Sequence, residues 1–378
     1  MKVAIAHDYL NQFGGAERVL ESLLKIFPDA HVYTLLSDRG PVRDRFTSAI
    51  YGTSFLDTPF IARHHRPFIP LMPLAISTMR LKERYDVLIS ATAGYAKGIT
   101  APPGTYHLSY CYTPLRYAWE HEYIPDVLNP RRSLAGKFSN WFVSPAASYL
   151  RRWDFKAAQR PHAMLAISRF IQEKIKTYYG RDSSVVYPPV DSRLFYFDAK
   201  KKKKVSDERY YLAAGRLLHY KKFDLILRAF SNLELPLKVV GSGKEGARLR
   251  SMIRHKNNIE FLDFVPDEQL RELYAGARGL IFPQAEDFGL VAAEAASCGT
   301  PVIAFRKGGA LEIVEEGRTG VFFDEQNVTS LIKAIQAARS IAFNRPYIAR
   351  RAKAFSFASF KRGIVGAIPL EIRRRKAA

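Results

Sequence analysis

Short β-branched or aromatic runs alternate along this chain with stretches whose apolar positions recur at helical spacing. The runs are VAIAH, HVYTLL, YDVLIS, YHLSYCY and AMLAIS, then YYLAAG, LKVVG, IEFLDF, GLIFP and PVIAF. Strands separated in this way by helices predict βαβ units and parallel sheets covered on both faces. The series restarts after Tyr187-Pro188-Pro189-Val190-Asp191. A proline pair forbids helix and stiffens the connection, and the run Lys200 to Lys204 repels itself into an exposed loop. The pattern therefore divides the chain into residues 1–190, residues 191–345, and a basic amphipathic segment, 346–378, expected to be helical and to cross back to the first domain.

Length agrees with that division, since 378 residues exceed what one ordinary core supports. The apolar share of 47% with 25% charged residues is that of a chain that folds throughout. Charge adds something the pattern lacks. Lys and Arg number 58 against 36 Asp and Glu, a net +22, which draws a protein toward a polyanion or an anionic lipid surface. Cys111 and Cys298 are the only cysteines and have no paired Cys or His spacing, which argues against a disulfide framework or zinc site and fits a reducing compartment. The start MKVAIAHDYL reaches His7 and Asp8 too early for a signal-peptide core, and no stretch approaches the roughly 20 apolar residues of a membrane span. The expectation is a cytoplasmic protein, able to rest on a membrane.

Candidate chemistry gathers where strands hand over to helices. Gly14-Gly15 follows the first strand, where a glycine pair admits a ligand close to the backbone and the next helix offers N–H groups to an anion; a plain strand-to-helix turn explains it equally. Gly215-Arg216-Leu217-Leu218-His219-Tyr220-Lys221 follows the strand that opens the second domain, placing two cations, Arg216 and Lys221, on one connection suited to a diphosphate or simply to solvent. Gly241-Ser242-Gly243-Lys244-Glu245-Gly246 satisfies G-x-G-x-x-G, with Glu260 near the spacing of a ribose-binding acid; that is the rival reading, an NAD-dependent oxidoreductase. It lies on the second strand of its domain rather than the first, and no P-loop is present. In PQAEDFGLVAAEAAS, Glu286 sits in a loop and Glu294 inside an Ala-rich helix that opens near Gly289. A buried unpaired carboxylate is costly, so the pair suits one hydroxyl-rich ligand, with the N–H groups of Phe288, Gly289 and Leu290 turned to its phosphate.

Taken in order, these pieces resemble the retaining glycosyltransferases of family 4. They are a glycine pair after the first strand, G-R-L-x3-K, V-G-S-G, E-x7-E as EDFGLVAAE, and then PVIAFRKGGALEIVEEGRTGVFFD. The resemblance covers nearly the whole chain and implies the GT-B fold: α/β, two Rossmann-like doubly wound parallel-sheet domains facing a central cleft. Carried over by position, it implies that Arg216 and Lys221 neutralise the donor's diphosphate, that Glu294 binds the nucleotide's ribose and that Glu286 contacts the transferred sugar. Gly14, Gly15 and Gly241 would line the donor, and no metal or cofactor would be required. HDYLNQFGGAERVLE and CYTPLRYAWE are similar to a narrower group, the WbaZ-type bacterial mannosyltransferases of O-antigen and exopolysaccharide assembly, which use GDP-mannose and a polyprenyl-diphosphate-linked acceptor. That group has His where Tyr112 stands, and a phenol with an unperturbed pKa near 10 is no equivalent base. Tyr112 is nevertheless expected near the transferred sugar, with His7, Asp8, His107, Arg116, His121 and Glu122 as acceptor candidates.

A lipid-linked acceptor gives the basic, aromatic segments Arg63 to Leu71 and Arg131 to Trp153 a use, because interleaved cations and rings suit anionic lipid. Peripheral attachment to the cytosolic face of the inner membrane follows as the expected location. Nucleic-acid binding, the other use of such a charge, has no recognition motif here.

Overall fold

The structure, a computed structural model, describes residues 1–38, 40–120, 136–199, 210–253 and 257–374, with 136–144 described by their backbone alone. It forms two compact units, Met1–Val186 together with Lys361–Ala378, and Tyr187–Phe360.

In the first unit seven parallel strands stand in the order β3-β2-β1-β4-β5-β6-β7, where β1 is Val3–Leu10, β2 His31–Ser37, β3 Ile50–Thr53, β4 Val87–Thr92, β5 Tyr106–Cys111, β6 Ala163–Ala166 and β7 Ser184–Val185. In the second unit six parallel strands stand in the order β10-β9-β8-β11-β12-β13, where β8 is Tyr210–Ala214, β9 Leu237–Val240, β10 Ile259–Leu262, β11 Ala277–Phe282, β12 Val302–Phe305 and β13 Gly320–Phe323. Each sheet is doubly wound: the chain leaves its central strand in one direction, then returns to build the other half. The crevice outside the carboxyl ends of the strands at that reversal is where ligands of such sheets bind. It falls between β1 and β4 in the first unit and between β8 and β11 in the second. The central strands are buried on both faces, which is why β1 and β4 are mostly apolar, their polar residues His7, Asp8, Ser90 and Thr92 being buried with them.

Asp8 shows what holds the reversal of the first unit together. Its carboxylate accepts the N–H groups of Ala93 (2.5 Å), Tyr95 (3.0 Å) and Ala96 (2.6 Å) and the hydroxyl of Thr92 (3.0 Å), tying β1 to the turn after β4. These bonds use the carboxylate's lone pairs, so Asp8 clamps β1 to that turn.

His107 also serves the core. Its Nε2 meets Ser90 Oγ at 2.9 Å between β5 and β4. Burial, with the positive fields of His162 and Arg160 behind it, pushes its pKa down from 6.5 to about 3. Because the folded pKa lies below the unfolded one, the unfolded chain takes up the proton first, and stability is lost as pH falls from about 6.5 toward 3. The expected slope is about 1.4 kcal/mol per pH unit in that window. Urea unfolding of the protein and of His107→Gln at about pH 7 and pH 5 measures it: the difference between them should widen with the wild type losing more, and parallel losses would exclude His107 as the source.

Candidate functional site

The second unit places four of the expected residues at its reversal. Arg216 and Lys221 lie on the connection after β8, and Glu286 and Glu294 on the connection after β11, so two cations and two acids flank the crevice between adjacent strands. Arg216 is exposed, whereas Lys221 is buried and its ammonium donates to Glu286 Oε1. Lys222 takes the left-handed conformation, φ 55°, closing the turn His219–Lys221 before the helix Phe223–Leu233 begins. Gln284, buried, donates from Nε2 to the same Glu286 oxygen at 3.2 Å. The backbone of Glu286 is fixed as well, its carbonyl accepting the N–H of Gly309 at 2.9 Å. The RKGG segment after β12 thus holds the acid loop after β11.

Gly289 caps the helix Leu290–Ser297 at φ 98°, a conformation that suits glycine, and a Cβ there would stand 2.8 Å from the Phe282 ring. Its neighbour Phe288 is buried against Tyr187 and Phe355, with ring centroids at 5.8 and 5.3 Å, which leaves its backbone as the part a ligand can use. Glu294, in the second turn, is buried, and Oε2 lies 3.3 Å from the hydroxyl of Tyr274. That hydroxyl is a neutral donor, so this contact orients the carboxylate without cancelling its charge. The charge is felt one turn on at Cys298, whose thiol burial, and after it Glu294, pushes up to about 12.

The glycines of GSGKEG have a packing role. Gly241 lies against the connection after β8 so closely that a Cβ would stand 2.0 Å from the Gly215 carbonyl oxygen, and Leu217 donates its N–H to Ser242 O at 2.9 Å. Glu260 sits within edge strand β10 and pairs with Lys238 of β9 at 3.3 Å, rather than at the end of a strand. The geometry on which the rival reading depended is therefore explained by two strand-end loops packing on one another.

In the first unit, Gly14, His7 and Tyr112 converge through a residue the sequence reading did not single out, Glu17. Its Oε2 accepts the Gly14 N–H at 2.7 Å and its Oε1 lies 3.6 Å from His7 Nε2, with both side chains buried. Gly14 is extended (φ −155°), so the glycine pair answers no backbone strain. Gly15 opens the helix Gly15–Ile26. Tyr112 follows β5, meets the His7 ring edge-on at 6.3 Å between centroids and donates its hydroxyl to the Ala16 carbonyl at 3.2 Å. Burial foremost, then Tyr110, Glu17 and Asp8, holds its phenol protonated well above the ordinary range. Arg116 opens the helix Arg116–Trp119. His121, Glu122 and the run Lys200 to Lys204 lie outside the described residues, as do residues 131–135 of the segment from Arg131 to Trp153, whose residues 136–144 are described by their backbone alone.

The signal for Glu17 was available in GGAE, a capping box spelled with glycine, whose acid reaches back to the N-cap N–H. Gln284 and Tyr274 carried none, since a lone glutamine before an acid and a tyrosine in the preceding helix acquire meaning from proximity alone.

Residues 13–194 match the family model described as Glycosyltransferase Family 4, and residues 196–353 match that described as Glycosyl transferases group 1. The GDP-mannose-dependent alpha-(1-6)-phosphatidylinositol monomannoside mannosyltransferase of Mycolicibacterium smegmatis is 28% identical over 229 residues, 54% of this chain and 59% of that protein. Matches to the first curated relatives span 40% to 59% of their length. In fold, the chain is similar to the sucrose-phosphate synthase of Thermosynechococcus elongatus (TM-score 0.70, 18% identity, covering 97% of this chain and 98% of that one). It is similar also to Anabaena HepE in complex with UDP (TM-score 0.67, 19% identity, 97% and 99%).

Proposed function

We propose, from the premise that the chain is a glycosyltransferase of the family 4, GT-B type, that it moves mannose from GDP-mannose to a polyprenyl-diphosphate-linked glycan. The transfer retains anomeric configuration, needs no metal and belongs to bacterial surface-polysaccharide assembly, at the cytosolic face of the inner membrane. One observation carries the reading: two cations after β8 and two acids after β11 meet at the reversal of the second sheet, where the ligand crevice of a doubly wound domain lies.

The chemistry asked of these groups is electrostatic. Departure of the nucleoside diphosphate leaves charge on phosphate oxygens, which Arg216, Lys221 and the start of the helix Leu290–Ser297 stabilise where it develops. Glu294, aimed by Tyr274, accepts the ribose hydroxyls, and Glu286 accepts those of the sugar being moved. In a retaining transfer on one face of the sugar the leaving phosphate takes the acceptor's proton, so Tyr112, held as a neutral phenol, is a hydrogen-bonding group and not a base. His7, held by Glu17, stands beside it.

A UDP-sugar donor is the second reading, favoured by the UDP bound to HepE. Thermal stabilisation by GDP-mannose, GDP, UDP-glucose, UDP-GlcNAc and NAD separates the cases, because a ligand that binds the native state raises the melting temperature. GDP-mannose is expected to give the largest shift; a shift with NAD and none with any nucleotide sugar would end the transferase reading. Glu294→Gln keeps the size and loses the charged acceptor, so donor affinity is expected to fall about 10- to 100-fold. Titration calorimetry reads that directly, and unchanged affinity would remove Glu294 from the ribose.

A further inference from the structure

Residues 283–289 link β11 to the helix Leu290–Ser297 with no helix of their own and one isolated bridge, Glu286 to Gly308. Such a segment keeps one conformation only where its neighbours impose it. Backbone supplies part of the hold, through that bridge and through Gly309, where a Cβ would stand 2.2 Å from the Phe288 carbonyl oxygen. Rings supply another part. Phe288, Tyr187 and Phe355 close a triangle: between centroids Tyr187 lies 5.8 Å from Phe288 and 5.2 Å from Phe355, and Phe288 lies 5.3 Å from Phe355, separations at which aromatic pairs attract one another. Tyr187 and Phe355 come from near the two ends of the second unit, which runs from Tyr187 to Phe360. Pro188 and Pro189 have no N–H, so the first backbone donor after Tyr187 is Val190, and it gives its N–H to the Phe355 carbonyl at 2.8 Å. Val190, Phe288 and Phe355 are all buried.

We infer that Tyr187 and Phe355 are positioning residues for glycosyl transfer, holding through the Phe288 ring the backbone that presents Glu286 to the transferred sugar. The inference rests on the proposed function for what this loop touches, and on the rings alone for how the loop is held. Its consequence is selective. Arg216 and Glu294, the groups proposed for diphosphate and ribose, stand outside the loop, on the connection after β8 and in the helix Leu290–Ser297. Loosening Phe288 therefore leaves the nucleotide held and shifts the acid at the sugar, and a misplacement of about 1 Å costs up to about 10²-fold in rate.

The test compares Tyr187→Leu, Phe355→Leu and Tyr187→Phe in the full chain. Calorimetry reads the affinity for GDP and UDP, and turnover is the nucleoside diphosphate released from GDP-mannose and from UDP-glucose. Melting temperature is the control for folding, and hydrogen exchange of the peptide spanning residues 284–290, without substrate, reads the loop itself. The leucine variants are expected to bind the nucleoside diphosphate within about twofold of the wild type, to lose about 10- to 100-fold in kcat and to exchange faster in that peptide. Tyr187→Phe keeps the ring and should behave as the wild type. Unchanged kcat in folded leucine variants, or unchanged exchange in the peptide, would overturn the inference. So would a fall in nucleotide affinity parallel to the fall in kcat, which would make the rings a support of the whole unit. A wild type that neither binds these nucleotides nor releases them from either sugar donor counts against the proposed function, and exchange at residues 284–290 still decides whether the rings hold the loop.

Discussion

Lys221→Met is expected to lower kcat about 10²- to 10³-fold with the protein still folded, the loss typical when one preorganised partner of a developing oxyanion is removed. Without substrate, Lys221 bonds Glu286. In the reaction we propose, a diphosphate arriving at the connection after β8 would offer the ammonium a doubly charged competitor, and the carboxylate it releases would become the acceptor for sugar hydroxyls. The two residues are therefore coupled, and their effects should not add. Glu286→Gln is expected to cost a similar factor, while the double variant should lose little more than the worse single one. Kinetics of all three, with melting temperatures as the control for folding, test this. If Lys221→Met lowers stability and leaves kcat intact, the pair is a brace between two loops; if the losses multiply, the residues act on separate parts of the substrate.

Much of this site was legible before any coordinates, and the reason is physical. Ten of the described strands could be read as β-branched or aromatic runs, most of them because central parallel strands are buried on both faces and are therefore dominated by apolar residues. Three of the described strands escaped, β3, β7 and β13, all short and at sheet edges: Ile50-Tyr51-Gly52-Thr53 contains a glycine, β7 has two residues and β13 has four, although the equally short edge strand β10 was read. Lys221, Glu286 and Glu294 were legible because each stands at a strand-to-helix handover. Which of them would bond to which was not. The Lys221–Glu286 contact spans 65 positions, and only the strand order, with β8 beside β11, brings it about. Nor were the bonds of Asp8 legible, since its carboxylate on β1 is held by Thr92 at the end of β4 and by Ala93, Tyr95 and Ala96 in the turn beyond it, more than eighty positions away.

That turn leads to the largest expected loss of stability. Ala96, whose N–H reaches Asp8, is followed by Lys97, fully buried, whose ammonium lies 2.5 Å from Asp154 Oδ1. Asp154, also fully buried, on the helix Gly136–Ala158, accepts from Trp119 Nε1 and from the Tyr179 hydroxyl, both at 2.7 Å, through Oδ2. Four elements of the first unit thus meet at one ion pair, and Tyr179, its phenol kept protonated by burial foremost and by Asp154 next, stays a donor. Removing one charge strands the other out of water. Asp154→Asn and Lys97→Met are each expected to cost about 3–5 kcal/mol, a fall on the order of 10 °C in the melting of this unit. The double variant, Lys97→Met with Asp154→Asn, leaves no charge at this position and keeps an oxygen for Trp119 and Tyr179, so it should regain most of that loss. Calorimetric melting of the three variants reads the coupling: a double variant as unstable as the sum of the singles would mean that the two groups stabilise the unit independently, and singles costing under about 1 kcal/mol would mean that water reaches the pair.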